Sequence, residues 1–303
     1  MAVYDQSYLP WSGSYTSRPA RVWAMVQPGL VQPFRNVWIL IVVILAWVLV
    51  AVWLMILLLV AQAATRSQEA AHLSKMAFAL GNNIYREQFF NNFWFSMILM
   101  VLSVSAGAGL ISRDLRHNAE LLYFSRAMTR ADYLAGKFLT LAIFLLFVTL
   151  GPALLLFGGQ TAMGAEKITT GQRLADLGAI TLHSLIIVIP MTSVVLACSS
   201  LTKRPYVAGI LWAALFFASQ AFSRILAQGL EADWCGLLSW TNLTSHLGNL
   251  CYPSRPIKAG LFTGPSVQVL PYGWREPFFI LAGITAASIG IVLWRVRPGG
   301  GGE

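Results

Sequence analysis

The stretch Leu110–Lys137, LISRDLRHNAELLYFSRAMTRADYLAGK, is a charged island in a largely apolar chain. It holds Arg113, Asp114, Arg116, His117, Glu120, Arg126, Arg130, Asp132 and Lys137, and long apolar runs lie on both sides of it. Drawn as a helix, it sets Leu115, Ala119 and Leu122 on one face and turns Leu121 and Phe124 the other way, with Arg116 and Glu120 paired between them. A short surface helix normally keeps one face polar. Two apolar faces require a second neighbour, either a docked protein or the anionic headgroups of a membrane surface. Thr129 and Asp132 have capping-box spacing and predict the start of the next helix.

Working outward, composition assigns the class. The chain is 57% apolar and 11% charged, and several apolar runs exceed the roughly 20 residues that a membrane span needs. The expected fold is an all-α polytopic membrane protein with six transmembrane helices at about 37–64, 90–111, 133–157, 177–201, 206–226 and 277–294. The net charge of +9 therefore speaks to membrane topology rather than to nucleic acid. Segments 65–89, 158–176 and 227–276 fall on one side. The N-terminus, the Arg113–Lys137 region, the Thr202–Pro205 turn and the tail fall on the other. That second side carries twelve of the 21 Lys and Arg but five of the 12 Asp and Glu, in short segments. Short basic segments stay cytoplasmic, so both termini are expected there.

Residues 1–36 show no signal-peptide pattern and form a cytoplasmic lead-in. Arg21–Phe34 is amphipathic, but Pro28 and Pro33 argue against one continuous helix. Residues 37–295 form the six-span bundle, with a partly helical or re-entrant outer segment at 227–276 that is rich in leucine and tryptophan. Residues 296–303 form a flexible tail, and the whole chain, 1–303, is a single transmembrane domain.

Polar residues within the spans are few. Ser103, Ser105, Gly107 and Gly109 give the second span a small-residue surface, as Gly283 and Ala287 do the sixth; packing inside one chain is favoured over a dimer seam. Pro152 and Pro190 predict kinks. His183 has no acidic partner at helical spacing and is expected to be a hydrogen-bonded packing residue, although an ionisable group in a span is also a functional candidate. Arg224 sits one turn from Gln220, where it can snorkel. Of the three cysteines, Cys198 reads as a buried hydrophobe. Cys235 and Cys251 share the outer segment at a spacing that suits a disulfide better than zinc. Asn242-Leu243-Thr244 matches the glycosylation sequon.

No zinc-protease, serine-hydrolase or paired-aspartate motif is present, and no catalytic residue or metal-ligand set emerges. Gly159 and Gly164 have phosphate-loop spacing, but Ala165 and Glu166 stand where Lys and Ser or Thr are needed. The chain is therefore expected not to be an enzyme on its own.

Gly109–Asp114, then Glu120–Arg126, then Tyr133–Lys137 resemble the signature of ABC-2 type transporter permeases, which runs approximately I-x-x-D-x-[RK], L-x-[LY]-x-x-S-R and Y-[LV]-x-G-K. Tyr8–Gly13 with Arg21–Met25 is similar to the entry of those permeases, with Ser12 where an acidic residue is common. The resemblance implies a membrane subunit of an ABC exporter in a bacterial inner membrane. Arg113, Asp114, Arg116, Glu120, Leu121, Phe124 and Arg126 would form an ATPase-docking coupling helix, and Arg21–Phe34 an elbow helix. ATP and Mg would bind the partner ATPase dimer, with no cofactor on this chain. A second permease copy or a related permease would complete the transporter. The scarcity of charge in the spans leans towards a lipid-like or amphiphilic substrate. The alternatives are a non-transporting anchor that transmits ATPase motion to an outer-side partner, and a structural subunit of another membrane complex.

Overall fold

The computed structural model describes residues 17–64, 89–119, 128–162, 170–230, 233–252 and 273–296. Among these the regular structure is helical: α1 (Arg18–Phe34), α2 (Val37–Ala64), α3 (Phe93–Gly107), α4 (Gly109–Arg116), α5 (Arg130–Ala162), α6 (Thr170–Leu201), α7 (Pro205–Leu230), a 3-10 turn (Asp233–Leu238), α8 (Trp240–Asn249) and α9 (Arg275–Arg295). Six segments are long and apolar enough to cross a membrane: α2, α3 with α4, α5, α6, α7 and α9. The chain is an all-α polytopic membrane protein.

Helix α6 is the axis of the bundle. Its most apolar window is 78% buried, against 22% for those of α2, α7 and α9. The cause is its run of short side chains. Ser184, Ser193 and Ser200 each donate to a carbonyl one turn back on α6 itself, so they are buried with their hydrogen bonds made while neighbours approach closely. The outer helices instead expose large apolar residues such as Ile44, Val48, Ile210 and Phe222, a surface matched to lipid. One apolar core joins α2, α3, α5, α6 and α7. A smaller one at the basal end joins Ile111, Tyr133, Leu196, Ala197, Val292 and Val296.

Helix α1 runs unbroken through Pro28 and Pro33, contrary to the sequence expectation. The prolines remove two helical donors, yet α1 lies along α5 for its whole length. A Cβ on Gly29 would collide with Thr140, and one on Gly136 with Met25, so the two helices meet at glycine on both sides. Phe34 closes the contact edge-on against Phe144, with centroids 5.8 Å apart. Tertiary packing outweighs the local preference. Pro152 lies inside α5 and Pro190 inside α6.

Helices α5 and α6 outrun their predicted spans. Their 33 and 32 residues give lengths of about 50 Å, against a hydrocarbon core of about 30 Å. Most of the additional turns fall at the end of α5 and the start of α6, the end away from α4. Within the outer segment, the described residues 233–249 form the 3-10 turn and α8. All ten residues of α8 are buried, which places Asn242 out of reach as a sugar acceptor. Gln220 ties α7 to that segment, donating to Thr241 Oγ1 at 2.7 Å and accepting from Ser239 Oγ at 2.6 Å, while Arg224 is exposed.

In the structure Cys198, Cys235 and Cys251 are free thiols. Cys235 is buried in the 3-10 turn, its carbonyl accepting from Ser223 Oγ at 2.8 Å. Cys251 follows α8 and directs its thiol to the Leu247 carbonyl. Helix α8 lies between the two cysteines in the chain.

Candidate functional site

The basal end gathers α4, the start of α5, the end of α6 and α1. The second span does not reach it as one straight helix. It breaks at Ala108, between Gly107 and Gly109, which frees backbone groups inside a buried region. Ser199 of α6 takes them up. Its hydroxyl accepts from the amides of Ile111 and Ser112 at 3.1 and 3.0 Å and donates to the Ala108 carbonyl at 2.8 Å. One donor and two acceptors exhaust a serine hydroxyl, and Ser199 is fully buried. Helix α4 is thereby latched to the axis of the bundle.

Charge fixes the other side of α4. Asp114 Oδ2 accepts from the Tyr133 hydroxyl at 2.7 Å and pairs with Lys137 Nζ at 2.8 Å, and Lys137 also lies 5.5 Å from the centre of the Tyr133 ring. Tyr133 and Lys137 are one turn apart on α5, so α4 is held to α5 by a half-buried ion pair. The α5 capping box forms as expected. Asp132 accepts from the Thr129 amide at 3.2 Å, while Thr129 Oγ1 accepts from the Asp132 amide at 3.3 Å. Arg18, at the start of α1, donates to Asp132 Oδ1 at 2.7 Å. The start of α5 thus serves as a junction for α1 and α4.

The Leu110–Phe124 stretch is not one continuous helix. Helix α4 ends at Arg116, where the His117 amide donates to the Arg113 carbonyl. Asn118 follows with φ of 50°, a left-handed conformation that asparagine tolerates and that ends helices. Of the candidate docking residues, Arg113 and Arg116 are exposed and Asp114 is turned inward. Glu120, Leu121, Phe124 and Arg126 lie outside the described residues.

A cavity of about 870 Å³ opens between α1, α2, α4 and α5, bordered by Arg35, Trp38, Gly109, Arg113, Lys137 and Thr140 among others. Sequence reasoning missed it because its walls come from four separate elements.

The small-residue surface of the second span packs within the chain. Ser103 accepts from Trp212 Nε1 at 3.0 Å, and a Cβ on Gly107 would strike Val195 and Leu141. Gly283 and Ala287 of α9 face outward instead. At the far end His183 is fully buried, with Nδ1 3.3 Å from the Tyr252 hydroxyl and its ring stacked on Phe90. It is a packing histidine. Among the described residues no group of His, Cys, Asp and Glu is arranged to hold a metal ion.

The family model described as ABC-2 family transporter protein matches residues 34–293. No curated protein matches the chain.

Proposed function

The chain belongs to the ABC-2 transporter family, and from that premise we propose that it converts the closing motion of a separate ATPase pair into rearrangement of its six spans, exporting a lipid-like or amphiphilic substrate from a bacterial cytoplasm. ATP and Mg belong to the partner. The observation that carries this reading is the double attachment of α4: Ser199 latches it to α6 and Asp114 ties it to α5. A push at Arg116 therefore reaches two spans through rigid helices, as a switch between discrete packings requires.

The docking face comprises Arg116 and the Glu120–Arg126 segment. Asp114 acts inside the protein by orienting α4. Arg18 on α1 and Val296 after α9 both lie at the basal end, and basic residues concentrate there, which supports cytoplasmic termini. The lipid-sized apolar faces of α2 and α7 suit a second copy or a related permease. The substrate reading rests on the near absence of charge along the spans.

The test is affinity purification of the chain in gentle detergent, with co-purifying proteins identified by mass spectrometry. A stoichiometric partner with a Walker A motif is the expected result, and recovery without any ATPase overturns the reading. Leu121→Asp should release that ATPase while the permease still inserts; unchanged co-purification removes Leu121 from the docking face.

A further inference from the structure

We propose that the basal cavity between α1, α2, α4 and α5 is a binding site for the headgroup of an anionic phospholipid, with the acyl chains running into the bilayer past Trp38 and Ile39. The site lies at the right depth. Helix α2 begins its candidate span at Val37, two residues after Arg35; Arg113 stands in the last turn of the second span; and Lys137 lies two turns into the third. All three cations border the same cavity, so three spans deliver positive charge to one level near the membrane surface.

The charges inside the cavity do not cancel. Asp114 is the carboxylate on its wall, and that carboxylate is already engaged by Lys137 at 2.8 Å and by the Tyr133 hydroxyl. Arg35 and Arg113 are exposed and make no ion pair among the described residues. Two guanidinium groups are thus left at the rim of a concave site, and their planar donor forks match phosphate oxygens. Apolar residues continue from this rim towards the bilayer: Trp38 is 78% exposed, and Leu110 and Ile39 line the wall below. A cationic rim above an apolar slot fits an amphiphile with an anionic head. A soluble anion would leave the slot unused, and a neutral lipid would leave both arginines without a partner. The volume of about 870 Å³ falls within the range of small-molecule sites.

The test uses the full-length chain alone, so it does not depend on ATPase docking. The protein is reconstituted into nanodiscs of equal parts phosphatidylglycerol and phosphatidylcholine, and retained lipid is counted by native mass spectrometry after release into detergent. Phosphatidylglycerol should dominate the adducts. Each cation near a membrane surface contributes about 1 kcal/mol, so Arg35→Ala and Arg113→Ala should each lower the phosphatidylglycerol preference about fivefold. The Arg35→Lys and Arg113→Lys variants should keep most of it. Ala24→Trp, an exposed position on the cavity wall, should reduce retention with no change of charge. Lys203→Ala with Arg204→Ala, in the turn between α6 and α7, should leave the preference intact. Equal retention of the two lipids overturns the site. So does a preference that ignores Arg35 and Arg113, or one that falls equally with the Lys203 and Arg204 pair.

Discussion

Ser199 shows how much can rest on one hydroxyl. Replacing it by alanine strips the hydroxyl from two buried amides, while the Ala108 carbonyl keeps its bond from Ser112 Oγ at 2.7 Å. A buried group left unsatisfied costs about 1–3 kcal/mol, so Ser199→Ala should lower the thermal midpoint of the purified protein by several degrees and loosen α4 in hydrogen exchange. An unchanged midpoint would mean that water replaces the latch. Nothing in the sequence marked Ser199 for this task, since its partners lie 87, 88 and 91 positions away and serine is common in spans. His183 was legible because it lacks any acidic residue one turn away. The pairing of Cys235 with Cys251 was read from spacing alone, which says nothing of direction. With no bridge, a thiol reagent should modify Cys198, Cys235 and Cys251 in the denatured, unreduced protein; modification of Cys198 alone would restore the disulfide. In the folded protein, burial raises the pKa of the Cys251 thiol. Its reactive thiolate is therefore scarce at neutral pH, and its alkylation should be slow and should speed up as pH rises.

Among the elements, the ones read correctly are those whose signals are local. The box at Thr129 and Asp132 spans four residues and forms as expected. Thr129→Ala should cost about 1 kcal/mol, seen as earlier fraying of α5 in hydrogen exchange. Helix α1 was misread because proline rules describe an isolated helix, whereas this one is held by contact between Gly29, Gly136 and their partners on α5. The end of α4 was also missed, because the apolar pattern continues past Arg116 while the backbone turns at Asn118. Glycine fits that conformation without strain, whereas a β-branched residue is penalised by about 1–2 kcal/mol. Asn118→Gly should leave the thermal midpoint near that of the parent, and Asn118→Val should lower it; equal behaviour would show that the left-handed turn is dispensable.

At the scale of the molecule, six spans and their order were legible because hydropathy reports on the bilayer directly. The identity of α6 as the axis was not, since burial on every side leaves no periodic signature in a helix that is apolar all round. The charge bias predicts both ends of the chain on one side. Single cysteines placed at Ser17 and after Arg297, in a background where Cys198, Cys235 and Cys251 are replaced, should both resist a membrane-impermeant maleimide in intact cells and react in inverted vesicles. Opposite behaviour of the two sites would require an odd number of spans.

The latch between α4 and α6 also bears on how the protein is made. Membrane proteins are threaded into the bilayer in chain order, so the second span arrives long before Ser199 has been synthesised. Until the fourth span follows, the amides of Ile111 and Ser112 have no hydroxyl to meet them, in a setting where such groups are costly. The second span is thus an unfinished part that waits for its fastener.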